Sequence, residues 1–163
     1  PFVGEDRFLV PSPKEVPTYD LKPEMSAYAI ASEAATRIAL QKYDFVLMNF
    51  ANADMVGHTG NYAAAVTALE TLDRCLAQVV GVAEKSGYHT LITADHGNCE
   101  QMLDTENDQP HTAHTTDLVP LIYIGEKALQ LQASGGVLSD IAPTLLKLMG
   151  LPQPAEMTGK ALF

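Results

Sequence analysis

The sequence predicts an α/β domain, a mainly parallel sheet flanked by helices, and three observations carry that reading. Apolar runs of strand length alternate with longer runs at helical period. Two of the strand-like runs, Phe45 to Met48 and Thr90 to Ala94, stop abruptly at polar loops that hold Asp54 with His58 and Asp95 with His96. A third segment, His111-Thr112-Ala113-His114-Thr115-Thr116, precedes the apolar run Val119 to Ile124. Open α/β sheets assemble their sites at strand ends, and carboxylates gathered with imidazoles are metal-ligand types.

Each element follows from its own residues. Phe8-Leu9-Val10 reads as a short strand, ended by Pro11-Ser12-Pro13 because proline has no N–H for a ladder. Glu15 to Asp20 reads as an extended crossing. Pro23 and Glu24 suit the first turn of a helix, and Tyr28, Ile30, Ala31, Ala35, Ile38, Ala39 and Leu40 carry it to Lys42. A strand Phe45 to Asn49 follows. The next helix spans Tyr62 to Lys85, with Ala65, Leu69, Leu72, Leu76, Val79, Val80 and Val82 as its apolar face and Ser86-Gly87 as its stop. Thr90 to Ala94 is a strand, Gln101 to Thr116 is polar and irregular, and Leu118 to Ile124 is the next strand, with Leu129 to Leu131 as a short edge strand. Ser139 caps a last helix that runs to Met149, Asp140 serves its N-terminus, and Gly150 stops it. The tail, Leu151 to Phe163, wraps the surface. About four strands make a small sheet for a doubly wound domain, which a missing portion of the domain explains.

Composition narrows the function. The 163 residues are about one domain. A formal charge of −10 argues against nucleic-acid and anionic-membrane partners, while leaving room for a phosphorylated substrate if bound cations supply local positive charge. No segment approaches the ~20 apolar residues of a membrane helix, the start lacks signal-peptide features, and it carries no initiator Met, as expected of a fragment or processed product. The expected location is cytoplasmic. Cys75 and Cys99 are too few for a disulfide framework and fit a reducing compartment. Cys75 reads as a small buried hydrophobe, and Cys99 is close enough to Asp95-His96 for a ligand role to be weighed.

The chemistry lies in the joint occurrence. A lone Asp or His at a strand end is ordinarily a loop cap or a solvated group. Asp54 and His58, four apart, share a face over even one helical turn. Asp95 and His96 can serve one centre or two, and His114 adds a further imidazole. Such a set can populate two sites a few ångströms apart, as two-metal phosphoryl chemistry requires. Mixed Asp/His ligation suits Mn, Zn or Fe better than Ca or Mg. His111 reads as a second-layer or solvated group and His89 as a satisfied surface histidine. Gly57, Gly60 and Gly97 read as turn residues, and Asn52 and Asn98 as groups that orient ligands, touch substrate or satisfy the backbone.

Together Asn52-Ala53-Asp54-Met55-Val56-Gly57-His58-Thr59-Gly60, Thr93-Ala94-Asp95-His96-Gly97-Asn98 and Thr112-Ala113-His114-Thr115-Thr116 resemble cofactor-independent phosphoglycerate mutase. So do Tyr19-Asp20-Leu21-Lys22-Pro23-Glu24-Met25-Ser26 and Leu138-Ser139-Asp140-Ile141-Ala142-Pro143-Thr144, so the resemblance runs from end to end. It implies an alkaline-phosphatase-like domain and a two-manganese enzyme, other divalent metals being alternatives, that interconverts 3-phosphoglycerate and 2-phosphoglycerate through a phosphoserine. By the same resemblance Asp54, His58 and His114 match the ligands of one metal, and Asp95 with His96 match part of the other. The family's N-terminal aspartate motif, nucleophilic-serine motif and arginine-rich substrate domain have no counterpart in these 163 residues. The chain therefore resembles the C-terminal part of the metal domain, expected to be inactive alone and prone to self-association through uncovered strand edges. The alternatives are a metal-dependent phosphatase or sulfatase of the same superfamily, and a non-catalytic module.

Overall fold

The long helix forms where the sequence places it. In the computed structural model, which describes residues 1–132 and 134–163, α3 spans Tyr62–Lys85, after α1 (Ala27–Ala39) and α2 (Asn52–Gly57). Asn61 caps α3, its side-chain oxygen accepting from the Ala64 N–H at 3.2 Å. Gly87 ends it in the left-handed conformation, φ +76°. The core is a seam of small residues: Ala27, Ala31, Ala34 and Ile38 of α1 against Cys75, Val79 and Ala83 of α3. Small side chains let the two backbones approach closely, so the bulkier expected face of α3 is partly turned out, with Leu69 exposed. Cys75 is buried in the seam, as read. A second cluster joins Val56 of α2 to Ala64, Ala65 and Ala68 of α3, closed by Met25 and Met102.

The expected first helix is shorter at both ends. Pro23 to Ser26 form turns, and Met25 (φ 44°) and Gln41 (φ 51°) take left-handed conformations that no helix can contain. Leu40, past the end of α1, is exposed, and so is Tyr28 within it. The expected last helix begins as a 3-10 turn, Leu138–Asp140, before α4 (Ile141–Leu148). Ser139 is not its cap. Asp140 stands at the N-cap position of α4 without a side-chain bond to it; its carboxylate accepts instead from the Val137 N–H, ahead of the 3-10 turn, and the Lys160 N–H, both at 2.9 Å. Those two bonds hold its carboxyl below the usual aspartate range. They also fasten the tail, whose Leu162 is buried and donates its N–H to Thr144 Oγ1 at 3.1 Å.

The sheet differs from expectation. The strands are β1 (Thr90–Thr93), β2 (Leu103–Asp104), β3 (Gln109–Pro110) and β4 (Leu121–Ile124), and both pairs, β1–β4 and β2–β3, are antiparallel. A parallel return needs a crossover, usually a helix; the 94–120 connection contains none and doubles back. Leu118–Val119 precede Pro120 outside the ladder, and neither Phe8–Val10 nor Leu129–Leu131 forms a strand. Phe45–Asn49 keeps a strand's period of two: Val46, Met48 and then Phe50 pack on the helix seam, while Leu47 is 83% exposed. Among the described residues it joins no sheet. Its pattern is a strand's, without a ladder among the described residues.

Candidate metal centre

Antiparallel pairing is what assembles the site. Thr93, at the end of β1, faces Leu121, at the start of β4, so the loop after β1 and the loop before β4 share one end. A bridge between Gly97 and Thr115 extends the pairing beyond the strands. A histidine after one strand is thereby laid on a histidine before the other: the His96 and His114 rings stack with centroids 3.7 Å apart.

The third contribution comes from α2. Its single helical stretch places Asp54 and His58 on one face, Asp54 Oδ1 lying 3.0 Å from His58 Nε2. Gly60, at φ +70°, then turns the chain into α3. Asp54 Oδ1 is also 2.9 Å from His114 Nε2 and 3.9 Å from His96 Nε2, and His58 Nε2 is 3.1 Å from His114 Nε2. Asp54, His58 and His114 therefore present three donor atoms in a near-equilateral triangle. His96 stands beside it, between Asp54 and Asp95, with its Nε2 3.8 Å from Asp95 Oδ1. The Asp95 side chain itself is 79% exposed.

The donor set fits a divalent cation. His58 Nδ1 lies 2.7 Å from the Thr112 carbonyl oxygen, which can only accept, so Nδ1 carries a proton and Nε2 of the neutral ring is a lone pair. Asp54 Oδ1 and the Nε2 atoms of His58, His96 and His114 are ligand types that a divalent transition-metal cation takes. Edges of 2.9–3.1 Å are short enough that one ion could touch Asp54, His58 and His114 together.

Other expected residues divide. Asn52 is buried and donates to the Pro23 and Glu24 carbonyls at 2.8 and 2.9 Å, so it fastens α2 to the turn before α1 and does not reach the site. Cys99 donates its thiol to the Ala53 carbonyl at 2.7 Å. Burial, with the Glu100 and Asp54 carboxylates adding, pushes that thiol up, and Cys99 does not join the Asp54, His96 and His114 group. His89 is satisfied by the Tyr123 hydroxyl at 2.6 Å. His111 does not join the Asp54 cluster; the residue is half-buried, and its Nε2 is buried with no hydrogen-bond partner among the described residues.

Sequence reasoning missed Glu100 and Thr115. The Glu100 carboxylate accepts from the Asn98 N–H at 2.7 Å and from the Thr115 hydroxyl, latching the loop of His96 to the segment of His114. Burial pushes Glu100 up, yet these hydrogen bonds outweigh it and hold the carboxyl below the usual range. Gly97 is needed for space, because a Cβ there would overlap Glu100 Oε1 and Thr115 Oγ1. Only a loop glycine beside Asp95-His96 hints at this in the sequence.

The sequence matches the metalloenzyme superfamily over residues 1–153. The 2,3-bisphosphoglycerate-independent phosphoglycerate mutase of Pseudomonas fluorescens is 56% identical over 163 residues, all of this chain and 31% of that protein. The enzyme of the same name from Methylobacillus flagellatus is 55% identical over 161 residues, 99% of this chain and 31% of that protein. Among solved structures, a Leishmania mexicana phosphoglycerate mutase studied at low cobalt concentration aligns with a TM-score of 0.82 and 28% identity, over 94% of this chain and 31% of that one. The chain thus spans about a third of the length of the relatives it matches, and the resemblance to cofactor-independent phosphoglycerate mutases holds from end to end. On that match and the α/β fold that carries the Asp/His cluster, the chain belongs to the metalloenzyme superfamily.

Proposed function

We propose that the chain is the C-terminal, metal-bearing portion of the phosphatase-like domain of a phosphoglycerate mutase, whose intact form interconverts 3-phosphoglycerate and 2-phosphoglycerate. The observation that carries this reading is the meeting of Asp54 Oδ1, His58 Nε2 and His114 Nε2 at edges of 2.9–3.1 Å. Asp54, His58 and His114 hold one divalent ion, manganese in the first instance, and His96 with Asp95 contributes to a second. When bound, such ions supply the positive charge that a phosphorylated substrate needs on a protein of net charge −10. The chain's own residues orient and fix this charge: the Thr112 carbonyl sets the His58 tautomer, and the Glu100–Thr115 latch holds the two histidine loops together. The nucleophilic serine and the groups that trap glycerate lie outside this chain. Similarity to mutases over the whole chain, together with the mutase-like segment Tyr19 to Ser26, favours the mutase over a phosphatase, a sulfatase or a non-catalytic module.

The purified 163-residue chain is expected to show no phosphoglycerate turnover with manganese present, and to support turnover when co-expressed with the remaining two-thirds of a relative. Turnover by the chain alone contradicts the reading. The site works in the cytoplasm in this account, and no described helix is long and apolar enough to cross a membrane. The unpaired Phe45–Asn49 segment, with Phe45 and Leu47 exposed, leads the isolated chain to self-associate. Light scattering at rising concentration checks this, and a strictly monomeric mass contradicts it.

A further inference from the structure

We infer that Asn98 is a positioning residue that aims the Asp54 carboxylate and ties α2 to both histidine loops; the inference rests on the metal reading above. Asn98 is only 5% exposed. Its Nδ2 donates to Asp54 Oδ1 at 3.0 Å and, at 3.4 Å, to the Asp54 carbonyl. Both of those oxygens can only accept, so the amide has one sensible orientation, nitrogen toward Asp54. The same Oδ1 lies 3.0 Å from His58 Nε2 and 2.9 Å from His114 Nε2, so the amide holds the oxygen on which the imidazoles converge.

The other end of the amide supports a positioning role. Asn98 Oδ1 is buried with no hydrogen-bond partner among the described residues. It presses on Gly57 at the end of α2, where a Cβ would overlap it. A side chain that served only to fill this space would be apolar, because a buried unpaired carbonyl lowers stability. The donor end supplies the reason for keeping it. Through its own N–H on Glu100, and Glu100 on Thr115, Asn98 continues the linkage from α2 to the segment of His114. Residues that orient a metal ligand in this way typically change metal affinity 10–100-fold when removed.

The test is manganese titration by calorimetry on the full chain, beside urea unfolding of the metal-free protein. Asn98→Leu keeps the side chain's volume and removes the donor; Asn98→Ala removes both; Gly57→Ala pushes the amide out of place. Asn98→Leu is expected to weaken manganese binding about 10–100-fold with an unfolding midpoint equal to or above that of the wild type, and the other two variants are expected to weaken binding as well. Affinity of Asn98→Leu within about twofold of the wild type overturns the inference while leaving the metal reading intact. A loss of affinity that merely tracks lost metal-free stability overturns it too. A wild-type chain that takes up no manganese overturns the metal reading and this inference with it.

Discussion

Asp54→Asn is expected to cost the chain its manganese binding, a loss beyond the ~100-fold that follows removal of a residue that only orients a ligand. The substitution keeps shape and removes charge. Asp54 Oδ1 is the atom on which the cluster converges, 3.0 Å from His58 Nε2, 2.9 Å from His114 Nε2 and 3.9 Å from His96 Nε2. No other carboxylate reaches all three rings among the described residues; Asp95 is turned to solvent and meets only His96. The metal-free fold should barely change, because partly exposed carboxylate–imidazole pairs contribute only about 0–1 kcal/mol. Calorimetry and urea unfolding on the same preparations separate the two effects. Unchanged manganese affinity with a lowered unfolding midpoint would make Asp54 a structural partner of the imidazoles and no ligand.

Ile38→Ala is expected to destabilise the chain by about 2–4 kcal/mol, in the range of large-to-small core substitutions. The α1 side of the seam is otherwise alanine at Ala27, Ala31 and Ala34, so Ile38 is the large side chain that fills it against Cys75, Val79 and Ala83. Two helix backbones already held close by small residues have little freedom to collapse into the space. Leu40→Ala, two residues on and exposed, should stay within about 0.5 kcal/mol of the wild type. Urea midpoints of the two variants check this, and equal effects would contradict the seam as the centre of stability.

How much of this could be read in the sequence depends on how local each feature is. The span of α3 is legible in its apolar period and in Ser86-Gly87 after it, whereas its cap, Asn61, is not among the signals read from the sequence. The one-turn spacing of Asp54 and His58 is legible too. The direction of β4 is not, because it depends on the path of residues 94–120 and not on the pattern of Leu121–Ile124. That error mattered for the site: the loop before a parallel strand lies at the opposite end of the sheet, whereas antiparallel pairing carries His114 to His96. Phe45–Asn49 has the alternation of a strand and no ladder, since a ladder needs neighbours that the described residues do not supply. The Glu100–Thr115 latch joins residues that nothing in composition or period relates. Asn98 and Gly57 were visible as loop residues, but their contact is a matter of three-dimensional space.

Whether Asp54, His58 and His114 together hold one divalent ion is decided by anomalous diffraction from a manganese-soaked crystal. A manganese peak is expected ~2.1 Å from Asp54 Oδ1, His58 Nε2 and His114 Nε2 together. A folded chain with no peak at that point, or with manganese held only by Asp95 and His96, would contradict that joint ligation.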